Sequence, residues 1–194
     1  MKRSFYPAVL EMMDRPQPVS AELERDLERI RQLNRWFGSY RLVLGFIRRW
    51  IKPGARLRIV DLATGSGDIP RLIINHSDAD ILEWKPAAAH DIALCTLTLH
   101  HFSNEDAVKV LRRCSEVATK FVLVSDLRRG FFLKAGVYIL TAFIFRETMT
   151  RYDARLSAAR AFSFKEFDKL ARQAGWQNFG HKKFRFARQA IWLE

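Results

Sequence analysis

Residues 57–68 read Leu-Arg-Ile-Val-Asp-Leu-Ala-Thr-Gly-Ser-Gly-Asp, and this stretch decides the fold. Residues 57–62 form a short apolar run with β-branched members, the pattern of a strand buried on both faces of a parallel sheet. Gly65 and Gly67 follow in a loop where the missing side chains let the backbone approach a ligand closely. An apolar helix start comes next at Ile69-Pro70, with proline in a position the first turn tolerates. Strand, glycine loop and helix open a nucleotide-binding α/β unit. The loop is not G-x-G-x-x-G, and no lysine follows the glycines, so it is neither a dinucleotide fingerprint nor a phosphate loop. The flanking carboxylates Asp61 and Asp68 would repel phosphate and suit a ligand with cationic or hydroxyl groups.

Further elements extend outward from this unit. Upstream, Ser20 can cap a helix whose apolar positions Leu23, Leu27, Ile30, Leu33 and Phe37 keep the 3.6-residue period. Gly38 interrupts it, residues 40–51 continue as a second helix, and Pro53-Gly54 marks a turn. Downstream, residues 91–99 (DIALCTLTL) read as a second buried strand. Ser103 and Asp106 then form a capping-box pair for a helix with Ala107, Leu111, Cys114 and Ala118 on one face. Residues 121–126 (FVLVSD) are a third strand, and strand–helix–strand alternation predicts right-handed crossovers. A second capping box, Ser163 with Glu166, starts a helix that Gly175 ends. Residues 183–187 and 190–194 predict a final strand pair. The organisation expected is a helical cover over 1–52 and an α/β domain over 53–194.

The chain has 194 residues, 48% of them hydrophobic, with a net charge of +12. That length and composition predict a single packed domain and exclude disordered, collagen-like and disulfide-rich classes. Two cysteines inside apolar stretches predict buried thiols in a reducing, cytoplasmic setting. No close Cys/His cluster is present, so no metal is expected. The N-terminus lacks the apolar run of a signal peptide. Residues 131–145 form the most apolar stretch, 15 residues long with Lys134 inside it. A bilayer span needs about 20 residues, so this stretch is expected to line a pocket for a lipophilic acceptor, to rest on a membrane surface, or to face the core. The charge is uneven: residues 1–56 carry twelve basic and six acidic side chains, 57–106 three and eight, 107–194 eighteen and seven. The segment with the glycine loop is thus acidic, and basic flanks leave nucleic acid as a less favoured partner.

The loop from Asp61 to Asp68 resembles motif I of the class I S-adenosylmethionine (SAM)-dependent methyltransferases. Residues 91–102 (DIALCTLTLHHF) resemble that family's fourth-strand motif and 122–129 (VLVSDLRR) its fifth. With 33–41 (LNRWFGSYR) and 152–167 (YDARLSAARAFSFKEF), the set is similar to the small bacterial methyltransferases of the ubiquinone/menaquinone-biosynthesis type, over residues 20–194. The resemblance implies a Rossmann-like, mostly parallel sheet with SAM as cofactor. It implies that Asp61, Ala63, Gly65, Gly67 and Asp68 line the cofactor site, with Leu97 and Thr98 approaching from the other side. All fall at the carboxyl ends of strands, where such sheets bind ligands. The implied acceptor is a small hydrophobic compound methylated at a hydroxyl or carbon, such as a quinone precursor or a polyketide-type phenol. An RNA methyltransferase using the basic flanks and a non-catalytic relic of the fold are the alternatives.

The central region departs from the family pattern. Two further strands and helices belong between the first and fourth strands, and residues 63–90 suffice for one crossover. Residues 81–84 (ILEW) are a candidate remnant of the third strand. The second-strand acid that holds the cofactor ribose has no counterpart, and Lys85-Pro86 stands where the adenine-side acid belongs. Either the protein is shortened there, or a segment is missing from the sequence near 75–79 and 84–89. The second is favoured, because lost crossovers would uncover apolar faces and strand edges.

Among catalytic candidates, His100 and His101 follow the fourth-strand motif. Methyl transfer needs alignment and, for a hydroxyl acceptor, removal of a proton, which suits a histidine. His101 is the preferred base; the alternative is local capping by either ring. Tyr40, Arg41, Asp126 and Arg128 are candidate substrate contacts, and Asp126 could equally bond to nearby backbone.

Overall fold

The computed structural model describes residues 2–18, 20–52, 54–62 and 89–194. Helix α1 spans Ala21–Trp36, and the Ser20 hydroxyl accepts from the Leu23 amide at 3.2 Å as the cap predicts. Gly38 adopts φ 76°, a left-handed turn that suits glycine, and α2 follows over Ser39–Trp50. The strands are β1 (Ile59–Asp61), β2 (His90–Thr96), β3 (Ala118–Leu127), β4 (Gly180–Phe184) and β5 (Arg188–Leu193). Helix α3 covers Asn104–Val117, α4 Phe131–Phe143, α5 Thr148–Arg160 and α6 Phe164–Gln173.

The sheet runs in the order β1-β2-β3-β5-β4, with β1, β2 and β3 parallel and β5 antiparallel to both β3 and β4. This is the mostly parallel α/β sheet predicted. Its first face packs Ala93, Cys95, Val122, Val124 and Ile191 against α3 and α6, through Leu111, Cys114, Phe167 and Leu170. Its other face packs Ile92, Leu94, Leu123 and Ala190 against Leu42, Val43 and Phe46 of α2. Side chains alternate across each strand, so neighbouring residues serve opposite layers. Cys95 and Cys114 are free, buried thiols.

Some local expectations need correction. The strand predicted over 91–99 ends at Thr96, because Leu97 turns to φ 56° and Leu99–His101 coil into a 3-10 turn. The final hairpin sits earlier than predicted, with its turn at 185–187 and left-handed backbone at Phe186 (φ 55°) and Ala187 (φ 53°). Gly180 in β4 lies so close to the Trp192 indole that any Cβ would collide with it. Ser163 and Glu166 make the full reciprocal box. At α3 the Ser103 hydroxyl accepts from the Asp106 amide, while Asp106 returns its bond to that hydroxyl instead of to backbone.

The glycine loop with Ala63, Gly65, Gly67 and Asp68, the helix start at 69–70, the strand remnant at 81–84 and both suspected junctions lie outside the described residues.

Candidate active site

Asp61 ends β1 opposite Leu94, and its carboxylate is buried at the carboxyl edge of the sheet. Beside it, Leu97 leaves β2 in a left-handed conformation, with its amide donating to Ser125 O at 2.8 Å. The Thr98 hydroxyl donates to Thr96 O at 3.0 Å. Asp61, Leu97 and Thr98 therefore lie at the same carboxyl edge of the sheet.

Next to this edge lies a cavity of about 390 Å³. Its apolar walls come from Ile30, Leu33 and Phe37 of the α1 region and from Leu133, Val137 and Leu140 of α4. Leu97, Phe186 and Ala187 complete the enclosure, and they are the three described non-glycine residues with left-handed backbone. Each such residue costs about 1–2 kcal/mol. Their clustering around one cavity marks it as the place where the fold tolerates strain.

His100 faces this cavity from the 3-10 turn. Its ring Nδ1 bonds Asp126 Oδ1 at 2.7 Å, and its backbone amide donates to Asp126 Oδ2 at 2.8 Å. A carboxylate only accepts, so Nδ1 is the donor in this bond, and in the neutral ring that leaves the lone pair on Nε2. Asp126 also accepts from the Leu127 amide at 2.6 Å and is 1% exposed. Of the two roles open to Asp126 from sequence, its bonds are the local ones: it does not line the cavity, and its oxygens are taken by His100 and the Leu127 amide. His101, the preferred base from sequence, bonds Asp14 Oδ2 through Nδ1 at 3.0 Å, with Nε2 4.0 Å from Glu11 Oε1.

The other sequence candidates fall elsewhere. Tyr40 packs on α2 against the sheet, and Arg41 is exposed in a second groove beside Phe46 and Trp192. Arg128 bridges backbone to Phe162 and does not line the cavity. Neighbouring Arg129 clamps Ala161 O and Glu166 at 2.7 Å each.

Sequence reasoning missed the strap formed by the residues before α1. Arg3 fastens it by donating to Arg160 O at 2.6 Å and Phe102 O at 2.7 Å, with its guanidinium 3.8 Å from the Phe162 ring centre. The Met12 and Met13 amides donate to Asp153 at 2.6 and 3.0 Å, and Ser157 donates to Glu11 at 2.7 Å. One ligand atom each from Glu11, His100 and His101 lies within 4.8 Å of the other two, a grouping able to accept a cation. No local spacing signals it, because Glu11 is some ninety residues away from the histidines in sequence.

Three carboxyls on this side of the cavity sit above their ordinary range. Burial pushes Glu11 up to about 7 against the lowering influence of His101 and Ser157. Burial pushes Asp26 up to about 6, and it raises Asp153 despite two amide bonds. Asp14 goes the other way: burial pushes it up, but the His101 hydrogen bond and charge outweigh that. The folded protein thus keeps the Glu11 proton that the unfolded chain releases above 4.5. Stability supplied by that proton is present at acid pH and lost as pH rises toward 7, by on the order of 3 kcal/mol. Urea unfolding at pH 5 and pH 7.5 is expected to show this decline in the wild type and to show it reduced in Glu11→Gln.

Neither a scan against protein-family models nor a search of curated proteins returns a match. Solved structures do match. The plantazolicin methyltransferase BpumL, bound to SAH and a triazolic desmethylPZN analog, aligns with a TM-score of 0.60 at 10% identity, covering 88% of each chain. A SAM-dependent methyltransferase of Thermotoga maritima aligns at 0.56 and 17% identity, over 87% of this chain and 97% of that one. PigF with SAH aligns at 0.56 and 14% identity, over 80% of this chain, which spans just over half (55%) of PigF's length. With parallel β1-β2-β3, the antiparallel β5-β4 pair and these alignments, the chain has the Rossmann-like fold of the class I SAM-dependent methyltransferases.

Proposed function

We propose that the protein is a SAM-dependent methyltransferase acting on a hydroxyl of a small lipophilic acceptor, of quinone-precursor or phenol type. The observation that carries this reading is the Asp126–His100 pair opening onto a largely apolar cavity at the carboxyl edge of the sheet. Asp61, at the end of β1, and the backbone of Leu97 and Thr98 would hold the cofactor, with the loop at 63–68 completing its site. A buried carboxylate fits that group, whose amino-acid end carries an ammonium and a sulfonium. When bound, SAM supplies an electrophilic methyl group.

The chain's own residues then have three tasks. The walls from α1 and α4 exclude water and fix the ring of the acceptor, converting an encounter into an aligned approach. His100 Nε2 accepts the hydroxyl proton. Asp126 holds the ring orientation and stabilises the imidazolium that forms, as the acid of a triad does. His101, tied to Asp14 and near Glu11, secures the strap that closes the cavity. The dyad suits a hydroxyl acceptor, whose proton passes to Nε2 as the oxygen–methyl bond forms.

Helix α4 supports a lipophilic acceptor independently. One side walls the cavity, while Phe131, Phe132 and Phe143 on its surface are 74%, 84% and 73% exposed. Phe132 belongs to both the surface and the cavity wall. Residues 127–146 contain Arg128, Arg129, Lys134 and Arg146 and no acid. Exposed aromatics among cations suit the interface of an anionic bilayer. No helix among the described residues is long and apolar enough to cross one.

Calorimetric titration with SAH tests the cofactor site, and transfer of a labelled methyl group from SAM to 5-pentylresorcinol tests the base. His100→Ala and Asp126→Asn are expected to keep SAH binding and to lower kcat by about 10²-fold or more. Absence of SAH binding by the wild type contradicts the reading. Co-sedimentation with phosphatidylglycerol vesicles is expected for the wild type, and to be lost in the triple Phe131→Ser, Phe132→Ser, Phe143→Ser variant.

A further inference from the structure

Among the described residues, Arg188 is a buried cation whose side chain makes no hydrogen bond. It begins β5, opposite Leu127 on one side and Phe184 on the other, and stands between the two grooves, lining the cavity with His100 and also the second groove with Arg41. It is 7% exposed, and its Nε is enclosed with no partner. Among the described residues its guanidinium makes no hydrogen bond and no ion pair. The other arginines buried here are all engaged: Arg129 donates to Ala161 and Glu166, and Arg160 to the carbonyls of Tyr6 and Val9. Among the described residues Asp126 is the carboxylate whose charge reaches Arg188, and its oxygens are already taken by His100 and Leu127.

Placing an arginine this way carries a cost in backbone as well as in charge. Two successive left-handed residues, Phe186 and Ala187, deliver the chain to Arg188, and neither is a glycine. The turn is held by the Arg128 amide, which donates to Ala187 O at 2.7 Å. A buried guanidinium left unpaired is destabilising unless something pairs it, and a planar fork of donors matches a carboxylate. Arg188 is the one lysine or arginine among the described residues lining the cavity; the other charged side chains there, histidines aside, are the carboxyls Glu11, Asp26 and Asp153, which offer an anion no cationic partner. A ligand with one anionic group therefore has one place to put it.

We propose that Arg188 binds a carboxylate on the acceptor, so that the site selects carboxylated lipophilic phenols over their neutral counterparts. This rests on the methyltransferase reading for the word acceptor, but the pairing itself does not. With the carboxylate on Arg188, the body of the ligand lies between α1 and α4, and a ring hydroxyl is presented to His100.

Two probes differing by a single carboxylate test the assignment: 2,4-dihydroxy-6-pentylbenzoate and 5-pentylresorcinol, each titrated into the full chain. The wild type is expected to bind the acid about tenfold or more tightly than the neutral compound, the scale of a charge-assisted pair. Arg188→Met is expected to bring the two affinities level, to leave SAH affinity unchanged, and to raise Tm because an unpaired buried charge is gone. Arg188→Gln serves as a second variant with a polar side chain and the same expected levelling. An acid-to-neutral ratio unchanged in both variants overturns the proposal. So does a loss that falls on SAH instead, which would assign the arginine to the cofactor's carboxylate. A wild type that prefers the acid but binds no SAH would sink the methyltransferase reading and leave the Arg188 assignment standing.

Discussion

Asp126 ties the end of one strand to the turn that follows another. Its carboxylate, fully enclosed, takes the His100 amide, the His100 ring and the Leu127 amide. Three charge-assisted bonds satisfy a group that would otherwise be costly to bury. In exchange, the 3-10 turn after β2 is fixed against the end of β3, and one ring nitrogen is aimed away from the carboxylate. Losing one partner of such a buried set costs about 3–5 kcal/mol. The cavity, the strap over it and the orientation of His100 all depend on this anchor.

The electrostatics of the cavity follow from what surrounds that anchor. On one side the strap and α5 bring buried acids close together, and burial leaves Glu11 titrating near 7. The Arg188 side chain lines the same cavity with no hydrogen bond among the described residues, and burial lowers it to about 10. Between these poles the walls are aliphatic and aromatic. Such a site discriminates by where a ligand carries its polar groups, because each buried charge left unmatched is penalised. The apolar middle then sets how large and how lipophilic the ligand is.

The layered sheet was legible because its signals are local. Residues 91–96 and 121–126 are continuous apolar runs, Ser20 and Ser163 are capping residues at the correct offsets, and the fifth-strand motif ends at the acid that anchors the site. Boundaries were less legible at Leu97 and at 185–187, where non-glycine residues adopt left-handed backbone that no composition signal announces. The roles within the site were read in part. His100 and His101 were identified together, but the choice between them depends on which ring Asp126 holds, and that is a contact between two strands. Glu11, Asp14 and Asp153 give no local signal, because the strap meets α5 across some 140 residues of sequence and Asp14 meets His101 across 87. Arg188 carries no sequence signal that separates it from the other cations of a chain with 33 lysines and arginines. Tyr40 and Arg41 were placed near the site by motif proximity, whereas α2 turns them toward the sheet and a second groove.

In the proposed mechanism Asp126 sets the His100 ring so that Nε2 faces the acceptor as a base. Long-range ¹H–¹⁵N correlation of the histidine rings reads that tautomer directly, at a pH where the ring is neutral. His100 is expected to carry its proton on Nδ1 in the wild type and to lose that preference in Asp126→Asn. A neutral His100 ring protonated on Nε2 in the wild type would contradict it.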